Sequence, residues 1–427
     1  MRTTRSARVA GLAAIALTAA ACGSGDSGTA SDDDGVIELT VATFNEFGYD
    51  ELYQEYMDAH PNIRIVERKA GTAEAAIENL RTKLAAGSGL SDIEAVEEAW
   101  MVGFLAQADK FHDLRDYGAD DIADRWLPWK FEAGTAPGGE VIGYGTDIGP
   151  MALCYRRDLF EQAGLPADRD VLGPMITDWA SYFDLGVHYV EAMGEGYAWY
   201  DTAGNIFQAM QNQLEVGYYD TDDNLVAAEN DAIKANFDAV VTANEAGLSA
   251  NLQTWSEDWA KAFQTDAFAT LPCPSWFLGV IEGNAKGREG TWDVVDAFPG
   301  GGGNWGGSYL TVPKQTDHPE EAAELAAWLT APEQQVKAFV AKGTFPSQVE
   351  ALESAELAEM THPFFNDAPT GTMFVNRALA VGEAQYKGPR DGDVNQALQN
   401  SLRRIEDGSQ EPDAAWEQFL EDAERVG

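Results

Sequence analysis

Along the first third of the chain the apolar positions switch between two periods. Val36 to Thr43, Asn62 to Glu67 and Asp92 to Glu97 are short, β-branched, largely apolar runs that predict buried strands. Between them, Leu52, Tyr53, Tyr56 and Met57 share one helical face before Pro61, and Ile77, Leu80 and Leu84 mark a second helix that stops at Gly87. Strand, helix, strand, helix, strand at this spacing predicts right-handed crossovers and a parallel sheet. Ligands on such sheets lie beyond the carboxyl ends of the strands. The first strand here ends in Asn45, Glu46 and Phe47, and the third runs into Glu97, Glu98 and Trp100.

Two glycine-punctuated passages interrupt this rhythm. Gly143-Tyr-Gly-Thr-Asp-Ile-Gly-Pro precedes the apolar run Met151 to Tyr155, and Gly300 to Gly307, interrupted only by Asn304 and Trp305, leads into Ser308 to Val312. Both read as places where the chain passes from one lobe to another. Asp317 and Pro319 then open a helix, Thr330 and Glu333 have capping-box spacing for the next, and Gly343 ends it. Val394, Leu398, Leu402 and Ile405, then Trp416, Phe419 and Leu420 after Pro412, predict two late helices. No internal repeat is present.

A length of 427 residues fits two such lobes, and 45% hydrophobic with 23% charged residues excludes fibrous and wholly disordered classes. The net charge of -43 changes the picture further, because it repels a phosphate backbone and makes nucleic acid an unsuitable partner. At the start, Arg2, Arg5 and Arg8 precede 13 residues, Val9 to Ala21, with nothing more polar than Thr18. This is the layout of a signal peptide over residues 1–21, too short to span a bilayer. Cys22 follows directly, and the Ser-, Gly- and Asp-rich residues 22–35 read as a flexible tether. In an exported chain the remaining thiols, Cys154 and Cys273, either pair or stay buried and free, and the sequence leaves both open.

Several motifs fail on inspection. Gly301, Gly303 and Gly306 match G-x-G-x-x-G, but a strand follows them where a dinucleotide site needs a helix. Asp220, Asp222, Asn224 and Asp231 have calcium-loop spacing, yet Leu225 stands where that loop needs glycine, and a polar hairpin tip explains the run equally well. The five histidines lack metal-ligand spacing. Carboxylates are so numerous that a glycosidase pair could be picked anywhere, which makes the pairing uninformative. Tryptophans carry more information. Trp199, Trp255, Trp276 and Trp305 lie in polar, Gly- or Pro-rich stretches, where an indole face suits the C–H face of a sugar ring and neighbouring Asp, Glu and Asn suit its hydroxyls.

At Tyr155-Arg-Arg-Asp-Leu-Phe-Glu-Gln-Ala-Gly-Leu-Pro the chain resembles the family 1 extracellular solute-binding proteins of sugar ABC importers, which read Tyr-x-x-Asp-Leu-Phe-x-x-Ala-Gly-Leu. The likeness runs through Asn45-Glu-Phe-Gly-Tyr, Lys83-Leu-Ala-Ala-Gly-Ser-Gly, Ala327-Trp-Leu-Thr and Gly343-Thr-Phe-Pro-Ser. Tyr144-Gly-Thr-Asp-Ile-Gly-Pro and Phe298 to Ser308 are similar, more narrowly, to actinobacterial binding lipoproteins for cellobiose and cello-oligosaccharides. Ile176-Thr-Asp-Trp departs from the family's Pro-x-Thr-Trp, which leaves the family role of Trp179 open.

The resemblance implies a two-lobed, type II periplasmic-binding-protein-like α/β fold, each lobe a mainly parallel sheet flanked by helices, joined by crossing hinge strands. The N-terminal lobe is expected over 36–147 and 303–342, the C-terminal lobe over 148–302 and 343–427. It also implies a non-enzymatic role with no cofactor: an oligosaccharide, cellobiose or a cello-oligosaccharide, is enclosed between the lobes and delivered to the permease's transmembrane subunits. Xylobiose, chitobiose or maltodextrin is the alternative ligand, and a secreted glycoside hydrolase the alternative class. Cys22 resembles a lipobox cysteine, implying lipidation and anchorage to the outer face of the cell membrane. Carried over residue by residue, the expected site comprises Asn45, Glu46 and Phe47 in the first-lobe loop, Glu98 and Asp147 at strand ends, Trp276 and Asp201 in the second lobe, and Asn304 and Trp305 on the returning crossover. Trp100 from the strand-end reading, and Trp199 and Trp255 from the misplaced aromatics, complete the expected ligand-binding set.

Overall fold

The computed structural model describes residues 35–381 and 385–426. The signal peptide, the tether and Cys22 lie outside the described residues. Strands are numbered in chain order: β1 Ile37–Phe44, β2 Ile63–Ala70, β3 Ile93–Glu97, β4 Gly143–Gly145, β5 Asp147–Ile148, β6 Met151–Arg156, β7 Ala198–Tyr200, β8 Phe268–Pro274, β9 Trp292–Val295, β10 Ser308–Thr311 and β11 Phe345–Pro346.

The first sheet has the order β2-β1-β3-β10-β4. β1 runs parallel to both β2 and β3, in the register Ile37 opposite Ile63 and Val41 opposite Ile93, and β10 returns antiparallel between β3 and β4. The intervening helices, Asp50–Ala59 and Ala73–Ala86, are those the periodicity calls for. Thr72 caps the second through the Ala75 N–H, and Gly87 closes it at φ 71°, a left-handed conformation glycine adopts without a Cβ clash. Leu39, Val41, Leu52, Tyr56 and Ile93 meet Leu310, Ala322, Leu325 and Leu329 in one apolar core.

The second sheet has the order β7-β8-β6-β9, with β6 antiparallel to β8 and β9 and β7 parallel to β8. Its two faces are covered by aromatic-rich clusters, one around Phe160, Tyr182 and Trp199, the other around Trp259, Phe263, Phe268 and Trp292. The late helices Asp391–Glu406 and Pro412–Val426 close the first of these through Val394, Leu398, Leu402 and Phe419. The arrangement is a two-lobed α/β fold. Within the second sheet Cys154 on β6 and Cys273 on β8 are joined by a disulfide, their Cα atoms 5.4 Å apart.

Three segments cross between the sheets side by side. Residues 146–151 lie against 303–308, with Met151 donating its N–H to Gly303 O at 3.0 Å, Trp305 donating to Gly149 O at 2.8 Å and Thr146 donating to Ser308 O at 2.8 Å. On the other side β5 pairs with β11, Ile148 opposite Phe345. The glycines of these passages are there because backbone meets backbone: a Cβ on Gly149 would collide with Trp305 O, and one on Gly307, at φ 114°, with Asp147 O.

Two expectations are corrected, and one open reading is decided. The second sheet is not mainly parallel: β6 runs antiparallel to both neighbours, β8 and β9, and only β7 with β8 is parallel. Thr330 and Glu333 do not form a capping box: helix Pro332–Lys342 starts at Pro332 after Ala331, and the Thr330 hydroxyl turns back to donate to Ala326 O at 2.8 Å. The acidic run at Asp220 is a hairpin tip. The Asp220 carboxylate accepts the N–H groups of Asp222 and Asn224, both at 2.9 Å, and no cluster of three or more metal-ligating side chains occurs among the described residues.

Replacing Gly149 by Ala is expected to cost about 1–3 kcal/mol of stability, the usual penalty of overpacking. Gly283→Ala, at an exposed position of helix Phe277–Asn284 with nothing near the new methyl, is expected to be neutral or to stabilise by roughly 0.5 kcal/mol. Urea unfolding of the two variants checks the contrast, and equal stabilities would show that the crossing is not close-packed.

Candidate functional site

Where β8 leaves the second sheet, Pro274 and buried Ser275 deliver Trp276 to the crossings. Its indole N–H donates to Trp305 O at 3.0 Å, and the two rings meet edge to face with centroids 6.4 Å apart. Trp255 lies nearly parallel to Trp276, at 21° and 6.4 Å between centroids. Trp255 is 54% exposed and sits at φ 67°, a costly backbone conformation for a bulky residue. Beneath it, the Trp259 indole and the Asn205 amide donate to Asp201 Oδ2 at 2.8 and 2.7 Å. Burial pushes the Asp201 carboxyl up to about 6 against those hydrogen bonds.

The first lobe answers from the end of β3. Glu98 opens helix Glu98–Leu105, and its carboxylate accepts the Asn304 amide at 3.0 and 3.2 Å. The fully buried Lys130 ammonium pairs with the same carboxylate at 3.3 Å while sitting 4.0 Å above the Tyr309 ring. Asn304 in turn accepts the Gly149 N–H at 2.8 Å and donates to Gly306 O at 3.0 Å. A continuous line of polar contacts therefore runs from Lys130 through Glu98, Asn304, Gly149 and Trp305 to Trp276. At Gly306 the two lobes converge: a point 3.6 Å from Glu97 Oε1 is also 3.6 Å from the Trp276 indole nitrogen.

The crossings thus carry a polar, aromatic-walled candidate site. Residues 51–366 match the model of the bacterial extracellular solute-binding proteins. The chain belongs to that family. More narrowly, it is a family 1 extracellular solute-binding protein. This solute-binding protein is 54% identical to a crystal structure described as an extracellular solute-binding protein family 1, which covers 91% of this chain and 99% of that one with a TM-score of 0.84. The arabinooligosaccharide-binding protein of Bacillus subtilis is 25% identical over 349 residues, 77% of each chain. A binding protein from B. animalis subsp. lactis in complex with β-1,6-galactobiose shares the fold at 20% identity, a TM-score of 0.78 and coverage of 92% and 98%.

Of the residues singled out from sequence, the solute-binding protein brings Glu98, Trp255, Trp276, Asn304 and Trp305 to the crossings. Trp199 is not among them. It is fully buried, packed between Phe160, Tyr182 and Tyr189 and lying on Gly186, so no ligand reaches it. Asp201 is also fully buried, and its role is to hold the layer under Trp255. Phe47 is 6% exposed, stacked edge-on with Phe44 and packed by Tyr49. Glu46 stays on the rim: its partial burial is outweighed by Lys69 and Lys342, at 3.3 and 3.4 Å, which hold its carboxyl below the usual value. Asn45 turns the chain out of β1 at φ 46°. Asp147 is nearly buried and accepts the Thr146 hydroxyl at 2.6 Å, and Trp100 leans on Gly392, where a Cβ would strike its indole nitrogen.

Sequence reasoning missed Lys130. The one available signal was a lone lysine inside Trp126-Leu-Pro-Trp-Lys-Phe, an aromatic setting in which a cation must find a buried partner. Removing it as Lys130→Met leaves Glu98, only 15% exposed, without its cation, and is expected to cost about 3–5 kcal/mol. Adding Glu98→Gln to that variant is expected to recover a large part of the loss. Denaturant unfolding of both single variants and the double variant checks the coupling, which additive effects would exclude.

Proposed function

We propose that the ligand is a neutral β-1,4-linked gluco-oligosaccharide, cellobiose or a cello-oligosaccharide, gripped at the crossings between the lobes and handed to the permease without chemistry. The observation that carries the reading is the pair of near-parallel indoles, Trp255 and Trp276, joined through Trp305 and Gly149 to an amide and a carboxylate, Asn304 and Glu98. Flat indoles favour a ring whose C–H groups stand on its faces and whose hydroxyls lie at its edge, as in glucose units joined equatorially. Acidic side chains suit hydroxyl groups and repel anionic sugars, in keeping with the net charge of -43.

Closure follows from the same geometry. Contacts to indoles in one lobe and to Glu98 in the other are made together only when the lobes are shut, so ligand shifts the population toward the closed state by the energy of those shared contacts. In this reading Asn45, Asp147 and Trp100 border the site, residues 36–147 and 303–342 move as one lobe, and residues 148–302 and 343–427 move as the other. Cys22, lipidated after cleavage of residues 1–21, would hold the protein at the outer face of the membrane on the residue 22–35 tether. The relative named for arabinooligosaccharides keeps pentose oligomers in the comparison set.

Calorimetric titration against cellobiose, cellotriose, xylobiose, chitobiose, maltotriose and arabinobiose checks the specificity. Cellobiose or cellotriose is expected to bind tightest, and tight binding of another sugar with none of cellobiose overturns the gluco-oligosaccharide reading. Trp276→Ala is expected to weaken binding at least tenfold, about 1.4 kcal/mol. Incubation with cello-oligosaccharides is expected to release no new reducing ends.

A further inference from the structure

We propose that Glu97 and Glu98 work as a divided pair, Glu98 accepting a ligand hydroxyl and Glu97, carrying a proton on Oε1, donating to one. The inference deepens the saccharide reading and rests on it. Its basis is an accounting of donors. A sugar hydroxyl both donates and accepts, so a site of carboxylates alone leaves its lone pairs unserved. Two donors at the crossings are already engaged, the Trp276 N–H on Trp305 O and the Asn304 amide on Glu98 and Gly306 O, while the indole N–H groups of Trp255 and Trp305 belong to the aromatic wall and leave the Glu98 side without a donor of its own. Glu97 is placed to supply the missing one. Its Oε2 accepts the Ala99 N–H at 2.8 Å, and Oε1, with no protein partner among the described residues, reaches toward Gly306, lying 3.6 Å from a point there that is also 3.6 Å from the Trp276 indole nitrogen.

The environment supplies the proton. Lys130 is committed to Glu98, and two adjacent carboxylates next to one buried cation cannot both be charged without cost. Burial first, and the Glu98 charge second, push the Glu97 carboxyl up to about 8, while the Ala99 N–H, Lys387 and Lys130 pull the other way. The remaining groups around Lys130 are Asp147, whose carboxyl burial also raises, and Tyr309, whose phenol burial and the carboxylates Glu98, Glu97 and Asp147 hold un-ionised. Glutamine is the matching probe. The Glu97→Gln amide can accept from Ala99 with its oxygen and donate from the Oε1 position with its nitrogen, at every pH.

Titration of the wild-type chain and of Glu97→Gln with cellobiose across pH 5.5 to 9.5 tests this. Wild-type affinity is expected to be flat at lower pH and to fall above about 8 toward tenfold per pH unit, the slope of one proton retained in the complex. Glu97→Gln is expected to bind within about threefold of wild type at pH 6.5 and to stay flat, since RT ln 3 is under 1 kcal/mol. A loss of more than about tenfold in that variant, or a wild-type profile flat through pH 9.5, overturns the inference and leaves the saccharide reading in place. Failure of the wild type to bind any sugar of the panel overturns both.

A ligand-free readout stands beside it. Between the ordinary value of 4.5 and about 8 the folded chain holds a proton the unfolded chain has released, so wild type is expected to lose thermal stability relative to Glu97→Gln as pH rises through that window. Parallel stability profiles would show that Glu97 holds no proton and would overturn the inference directly.

Discussion

One polar line holds the two halves of this molecule in register: a buried ammonium, a carboxylate, an amide and four main-chain groups, running from Lys130 to the Trp276 indole. Each member is needed because the next is buried or half-buried and has no water to fall back on. Lys130, with no exposed surface, is tolerable only because Glu98 pairs with it and the Tyr309 ring lies beneath it. Glu98, so fixed, can in turn orient Asn304 on the returning crossing. The position of the aromatic wall in one lobe thus depends on a charge buried in the other.

In the proposed site the energetics divide between the two sides of the crossings. The second lobe contributes area: indoles at van der Waals reach of one another, with a rigid floor of Trp259, Asn205 and Asp201 that keeps Trp255 exposed in a conformation it would not choose alone. The first lobe contributes direction, through hydrogen-bonding groups whose neighbours fix where they point. Area without direction binds any flat apolar molecule, and direction without area cannot outweigh the desolvation of a polyhydroxylated one.

The sheet-forming third of the chain could be read from its sequence because local period and sheet position coincide there: β1, β2, β3 and the helices between them start and end within a few residues of the apolar runs. The glycine-rich passages were legible for a similar reason, since only main chain packed on main chain demands so many bare positions. The tryptophans were not separable. Trp199 and Trp276 each stand next to polar or turn-forming residues, and what buries the first is the notch left by Gly186 on helix Trp179–Met193, a tertiary contact with no local trace. Asp201 misled in the same way, being a hydroxyl-binding type of residue whose acceptors are spent on its own lobe. The capping-box spacing at Thr330 lost to Pro332, whose fixed φ begins the helix without a side-chain cap.

Because Gly149 and Gly307 meet the opposing crossing first through main-chain oxygens, of Trp305 and Asp147, the crossing is specified largely by backbone and little by the side chains of the proposed site. Selectivity can therefore drift by exchange of an indole or a carboxyl on either bank without disturbing how the halves swing. A scaffold of this kind lends itself to rapid diversification of its cargo, since mechanical competence and chemical taste are written in different atoms.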